Sequence, residues 1–205
     1  MIQYNVDVDD LRQIENALGM SKDKSKQILK SAINSTEKET TKLLSGEANK
    51  RYYIKKTKVD KTLDTKKATV SNLEGLITST GGVNELYDFR VSPKAYNPHN
   101  RPRTGHTGNV NRANSPKRLY LRPGATFDKY KAFVVRFKSG HVTIGQRVPG
   151  KRMKSNPKKE AVKELLSPST PTLLGNEKGV YDIVQPQMYS ILEKNIEQQI
   201  QRFLG

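Results

Sequence analysis

The chain contains no cysteine and no tryptophan. Without cysteine there is no disulfide framework, no thiolate nucleophile and no cysteine-ligated zinc site. The 205 residues suffice for one ordinary domain, and we expect a single domain over residues 1–205. Only 34% of the residues are apolar, so the core must be small for this length. Such a chain often gains stability when oligomerisation buries surface that it cannot bury alone.

Long apolar runs are also absent. The first residues, MIQYNVDVDDLRQIENALG, are acidic where a secretory signal would be basic and then apolar. No later stretch approaches the roughly 20 apolar residues of a membrane span. We therefore expect a soluble protein that is not exported by that route.

No known catalytic motif is present. The chain has no GxxxxGK[ST] loop, no GxGxxG turn, no GxSxG elbow and no HExxH helix. His99 and His106 have no nearby carboxylate or thiol that would complete a metal site, and His141 is typical of a half-exposed turn residue at the start of a strand. The sequence predicts neither an enzyme nor a bound metal or cofactor.

Acidic residues are few, since 20 Asp and Glu stand against 37 Lys and Arg, for a net charge of +17. A positive field attracts DNA, RNA or an acidic protein surface, although much of this charge can be ordinary solvated surface. Residues 90–116 are rich in Pro, Asn, Gly and Arg, and no acidic residue lies between Phe89 and Phe127. We expect an extended basic arm or loop inserted in the sheet region, either disordered or ordered only against a neighbouring subunit or DNA.

The candidate contact residues, facing a subunit or DNA, are basic side chains of this arm and of the stretches that follow it: Arg90, Lys94, Arg101, Arg103, Arg112, Lys117, Arg118, Arg122, Lys151 and Arg152. Tyrosines also lie among basic residues in residues 51–61 and 118–131. This pattern gives sequence-independent attraction to phosphates but does not specify base readout.

Hydrophobic periodicity predicts two long helices, over residues 21–50 and 181–204. The first places the following side chains on one stripe: Ile28, Leu29, Ala32, Ile33, Thr36, Thr40, Leu43, Leu44 and Glu47. The stripe of the second is Met188, Leu192, Ile196, Ile200 and Phe203.

Alternating patterns predict strands over residues 66–79 and 117–122, and a hairpin over residues 132–147 that turns at Lys138, Ser139 and Gly140. Short helices are expected after residue 54 and over residues 160–166, and residues 168–175 are expected to be extended. These elements predict an α+β fold, in which a small, mostly antiparallel sheet packs against a long N-terminal helix and a C-terminal helix.

Four segments follow one another in a characteristic order. They are RYYIKKTKVDKTL after the first helix, NLEGLITSTGGVNELYDF, the hairpin AFVVRFKSGHVTIGQR, and KRMKSNPKKEAVKELLSPSTPTLL before the last helix. Their order and spacing resemble the minor tail protein Z family of tailed bacteriophages, over residues 25–204. The chain departs from the family in residues 90–116, which are longer and more basic, and in residues 154–159.

The resemblance implies a virion structural protein of the neck or the head-proximal tail end, assembled in the bacterial host cytoplasm. Proteins of this kind complete the tail and connect it to the head by forming a ring around the DNA channel. The implied partners are copies of the chain in a hexamer or, second, a dodecamer, neighbouring neck and tail proteins, and packaged DNA in non-specific contact, with no membrane. The alternative that the charge supports is a sequence-independent DNA- or RNA-binding protein that uses its basic segments.

Overall fold

The computed structural model describes residues 2–5, 22–97, 105–119, 132–175 and 179–204. These residues form helices and small antiparallel sheets, which confirms the predicted α+β class. The sequence predicted one domain over residues 1–205, but the chain divides into two compact units. The first is Met1–Ala48, Lys56–Gly81 and Thr170–Gly205, and the second is Asn49–Lys55 and Gly82–Ser169.

The first long helix, α1, spans Lys22–Arg51 and confirms the prediction of a helix over residues 21–50. Its buried face is the predicted stripe, with Ala48 as a further member, while Leu43 and Glu47 are only half-buried. Glu37 was expected on the charged face, but it is only 4% exposed. The buried face of α1 is therefore wider than the hydrophobic pattern indicated.

The C-terminal helix, α4, spans Val180–Leu204 and confirms the second predicted helix. Its buried side chains recur every three or four residues, as one helix face requires: Val180, Val184, Met188, Leu192 and Asn195. The predicted stripe continued to Phe203, which is exposed instead. A short helix, α3, precedes it over Thr170–Gly175, where we had expected an extended segment. Pro171 stands in the first turn of α3, where proline is tolerated because the missing N–H would have no intrahelical partner.

The sheet of the first unit consists of β1 (Ile2–Asn5), β2 (Leu63–Lys66) and β3 (Glu74–Ser79) in the order β1–β3–β2. The short helix expected after residue 54 is α2, Lys56–Asp60. The prediction of one strand over residues 66–79 was wrong in its first half. Thr69 and Asn72 exchange backbone hydrogen bonds of 2.8 and 3.2 Å there, and the chain turns between β2 and β3.

Among the residues that the structure describes, the strands of the second unit form three antiparallel groups, β4–β11, β5–β6–β7 and β8–β9–β10. Their bounds are β4 Asn84–Glu85, β5 Arg90–Ser92, β6 Thr107–Asn109, β7 Lys117–Arg118, β8 Phe133–Arg136, β9 Val142–Met153, β10 Asn156–Glu164 and β11 Leu166–Ser167. A 3-10 turn, Leu86–Asp88, follows β4. The core of this unit gathers Leu86, Val91, Ala132 and Ile144, with Tyr87, Val110, Leu119 and Leu165 packed against them.

The predicted hairpin is confirmed as β8 and β9, with Phe133 opposite Gly145. Its turn places Gly140 at a φ of +86°, a conformation that favours glycine. The helix expected over residues 160–166 is wrong, because those residues lie mainly in β10, where Val162 pairs with Arg147 and Glu164 with Gly145. The local helical pattern of EAVKELL is overridden by pairing with β9, as tertiary context often overrides propensity.

The basic arm expected over residues 90–116 is not a free loop in its described parts. Its first residues form β5 and pair with β6, so that Arg90 lies opposite Asn109. Near its end, the Arg112 N–H donates to the carbonyl of Arg51 over 2.8 Å, and the Tyr53 N–H donates to the carbonyl of Val110 over 2.9 Å. The arm was expected to order only against another molecule, but backbone pairing within the second unit orders both of these ends.

Candidate functional site

The ten predicted contact residues fall into three groups. Arg90, Lys94, Arg112 and Lys117 lie in or beside the β5–β6–β7 sheet, and Lys151 and Arg152 lie in β9. Arg101, Arg103 and Arg122 lie outside the described residues, and Arg118 is described only by its backbone in β7. Six of the ten can therefore be placed with their side chains.

Arg90 and Arg112 both contact the ring of Tyr53. The guanidinium carbons lie 5.3 and 4.3 Å from the ring centroid. Arg90 also donates from Nη1 to the Tyr53 hydroxyl over 2.9 Å, and the Arg112 Nε–H donates to the Asn49 carbonyl over 2.9 Å. Cation–π contacts of this kind contribute roughly 0.5–2 kcal/mol each. These two arginines thus stabilise the second unit, and they are not free cations of an arm.

Lys94 is also occupied within the second unit. Its Nζ lies 4.7 Å from the centroid of the Tyr87 ring and donates to the Phe89 carbonyl over 3.3 Å. Burial lowers the pKa of Lys94, while the Asp88 carboxylate acts in the opposite direction and nearby Lys55 lowers it further. A cation held in this way is a weaker candidate for phosphate contact than a fully solvated one.

Lys151 and Arg152 belong to a two-stranded ribbon formed by β9 and β10. β8 pairs with β9 only as far as Gly145, whereas β10 continues to pair with β9 as far as Met153. The far end of the ribbon, residues 150–159, carries no carboxylate and holds five exposed cations, Lys151, Arg152, Lys154, Lys158 and Lys159. We call these five residues the basic tip.

Arg147 joins the two strands at the base of the ribbon. Arg147 lies with its guanidinium carbon 5.3 Å from the Phe133 ring centroid and donates from Nη1 to the Glu160 carbonyl over 2.6 Å. The exposed lysines and arginine of the basic tip attract phosphates whatever the nucleotide sequence, and salt weakens that attraction by screening. The sequence pointed to Lys151 and Arg152. It missed Lys158 and Lys159, which were not expected to pair with β9, and Lys154, which lies in the turn between β9 and β10.

A second polar group was missed altogether by the sequence analysis. Ligand atoms of Glu85, His141 and Glu164 lie within 4.8 Å of one another. Nε2 of His141 is 3.3 Å from Oε2 of Glu85 and 3.9 Å from Oε1 of Glu164. The three residues are far apart in sequence and meet because β4, β9 and β10 converge, so no local spacing signals them.

No protein-family model matches this chain, and no curated protein or solved structure matches it either. Within the described ranges, none of the helices is both long enough and apolar enough to cross a membrane.

Proposed function

We propose that this chain is a bacteriophage virion structural protein of the neck or head-proximal tail end, which forms a ring around the DNA channel. The observation that carries the proposal is the basic tip of the β9–β10 ribbon, which presents five exposed cations, while the nearest carboxylate in the ribbon is that of Glu160, opposite Arg152. The four segments named in the sequence analysis resemble the minor tail protein Z family in their order and spacing, and this resemblance supports the same assignment.

A ring repeats one subunit contact until it closes, and it brings the same surface of every copy to the central opening. If the ribbons point inward, each subunit adds a cluster of solvated cations to the wall of the channel. Solvated lysine and arginine attract the phosphate backbone but read no base sequence. A conduit needs this combination, because DNA of any sequence must pass through it.

The structure changes the role that we assign to the arm. Arg90, Lys94 and Arg112 have partners within the second unit. We therefore assign DNA contact to the basic tip and a structural role to residues 90–97 and 105–116. Lys117 is exposed at the start of β7 and remains a candidate for contact with a neighbouring subunit.

The alternative function is a sequence-independent DNA- or RNA-binding protein, and the same ribbon favours it. The major groove of B-DNA admits a two-stranded β-ribbon. In this case a single chain would bind duplex DNA through the basic tip without forming a ring.

Two variants with the same change in charge separate these functions. The tip variant carries K151Q, R152Q, K154Q, K158Q and K159Q. The matched control carries K24Q, K42Q, K61Q, K66Q and K67Q, which remove five exposed lysines from the first unit. Native mass spectrometry gives the number of subunits, and fluorescence anisotropy with a short duplex gives DNA affinity against salt concentration.

The ring function predicts a closed oligomer without DNA, which both variants retain, and weak DNA binding that only the tip variant loses. Each phosphate contact removed lowers the slope of log K against log salt by about 0.9. A chain that stays monomeric and loses DNA binding in the tip variant supports the alternative. A monomer that does not bind DNA contradicts both functions.

A further inference from the structure

Glu85, His141 and Glu164 form a compact polar cluster in the second unit, which we call the EHE cluster. Glu85 ends β4, His141 directly precedes β9, and Glu164 ends β10. Their side chains are 31, 41 and 35% exposed, respectively, so an ion from solution can reach them.

Backbone pairing fixes the positions of the two glutamates. The Leu86 N–H, next to Glu85, donates to the carbonyl of Leu165 over 2.8 Å. The Leu165 N–H, next to Glu164, donates to the carbonyl of Ile144 over 2.9 Å. The two carboxylates are therefore carried on neighbouring, hydrogen-bonded backbone segments.

The histidine is held by the β8–β9 turn. The Phe137 N–H donates to the His141 carbonyl over 2.8 Å. The His141 ring stacks on Phe137, with centroids 6.0 Å apart and an angle of 7° between the planes. The stacking orients the imidazole ring so that Nε2 faces the two carboxylates.

Ion pairing within the EHE cluster does not satisfy all three groups. Nε2 carries at most one proton, and the 3.9 Å separation from Glu164 is too long for a hydrogen bond. Two carboxylates that share one site also repel each other. A divalent cation would neutralise both and would accept the lone pair of Nε2.

We propose that the EHE cluster binds Zn²⁺ through His141 Nε2 and one oxygen from each glutamate. Ligands at 2.0–2.1 Å in a tetrahedron are roughly 3.3–3.4 Å apart. Nε2 of His141 lies 3.3 Å from Glu85 and 3.9 Å from Glu164, and all three ligand atoms lie within 4.8 Å of one another, so side-chain rotation would bring them to this spacing. The imidazole nitrogen favours zinc over magnesium, which prefers oxygen ligands.

A zinc ion at this point has three protein ligands and an open fourth position for water. It also joins β4 to the start of β9 and to the end of β10. Zinc binding therefore adds to the stability of the second unit. The inference does not depend on the proposed ring, because it concerns ligands within one chain.

The test uses the full chain after dialysis against a chelator. Calorimetric titration with Zn²⁺ measures stoichiometry and affinity, and Co²⁺ absorption reports the coordination geometry. The variants are H141A and the double substitution E85Q/E164Q. The controls are H99Q, which removes a different histidine, and E193Q/E197Q, which removes two exposed carboxylates of α4.

We expect one zinc per chain, a tetrahedral Co²⁺ spectrum, and a rise in thermal midpoint on adding zinc. H141A and E85Q/E164Q should weaken zinc binding by roughly tenfold or more, since loss of even the supporting groups around a metal site has an effect of this size. Both controls should bind zinc as the unchanged chain does. Circular dichroism of the variants checks that they are folded. Absence of saturable binding, or equal weakening in the controls, overturns the proposal.

Discussion

Asn195 of α4 donates a hydrogen bond from Nδ2 to Oγ1 of Thr36 in α1 over 3.1 Å. Both residues are buried, with 4% and 0% of their surface exposed. The Thr36 hydroxyl donates in turn to the carbonyl of Ala32 over 2.9 Å. Asn195 Nδ2 also donates to Oε1 of Glu39 over 3.3 Å. Buried polar groups are tolerated when they are hydrogen-bonded, so these bonds fix α4 against α1.

Replacing Asn195 with alanine should therefore destabilise the first unit. The substitution removes a buried donor and leaves a small cavity, and we expect a loss of about 1–3 kcal/mol in the free energy of unfolding. Urea denaturation followed by circular dichroism measures the loss. Q198A, at an exposed position of the same helix, should change stability by less than about 0.5 kcal/mol. Equal losses in the two variants would show that the hydrogen bonds of Asn195 to α1 are unimportant.

The contacts of Tyr53 predict a graded series. Y53F removes only the hydroxyl that accepts from Arg90, whereas Y53L also removes the ring beneath Arg90 and Arg112. We expect Y53F to cost about 0.5–1.5 kcal/mol and Y53L to cost at least about 1 kcal/mol more. Thermal and urea denaturation measure both. If Y53L is no less stable than Y53F, the arginines are not held by the ring.

Of the two glycines of β9, Gly145 and Gly150, Gly145 has less room for a side chain. A Cβ atom there would lie 2.8 Å from Cγ1 of Val162 and 2.9 Å from the carbonyl oxygen of Lys163. Because the carbonyl belongs to the paired strand β10, it cannot move away without loss of pairing. G145A should destabilise the second unit by about 1–3 kcal/mol.

The matched control for this substitution is G82A, since a Cβ at Gly82 meets nothing within 4 Å. We expect G82A to leave the urea midpoint nearly unchanged or slightly raised. A midpoint for G145A equal to that of G82A would contradict the described packing of β9 on β10.

His106 gives a prediction about pH. Burial lowers its pKa below the usual 6.5, and the hydrogen bond of 2.7 Å between Nδ1 and the Pro93 carbonyl offsets part of this effect. The unfolded chain therefore binds a proton more readily than the folded chain. The contribution of His106 to stability is complete above its unfolded pKa and is lost as pH falls through its folded pKa.

Titration of the histidine ring protons by NMR measures this pKa directly, and H106N assigns the resonance. We expect the His106 midpoint below 6.5. The unfolding free energy of the unchanged chain should fall more steeply between neutral and mildly acidic pH than that of H106N. A midpoint at or above the usual value would mean that the ring is not buried as described.

The sequence predicted the parts of the fold that depend on local periodicity. The stripes of α1 and α4 identified both long helices, and the alternation around Phe133 and Val135 identified the β8–β9 hairpin. Each of these signals lies within one continuous segment, so no distant partner was needed to recognise it.

The failures concern residues whose structure depends on distant partners. Val162 lies in a strand because it pairs with Arg147, although EAVKELL is locally a helical pattern. Arg90 and Arg112 have partners because Tyr53 lies beneath them, and that contact spans many residues of sequence. The EHE cluster was missed for the same reason, since only strand pairing brings Glu85 and Glu164 to His141.

We propose that copies of this chain close into a ring with the basic tip facing the opening. Electron cryomicroscopy of the purified chain, with the structure fitted as its two separate units, tests this most directly. We expect closed rings in which Lys151, Arg152 and Lys154 line the central opening. Particles that remain monomeric, or rings in which these residues lie on the outer surface, would contradict it.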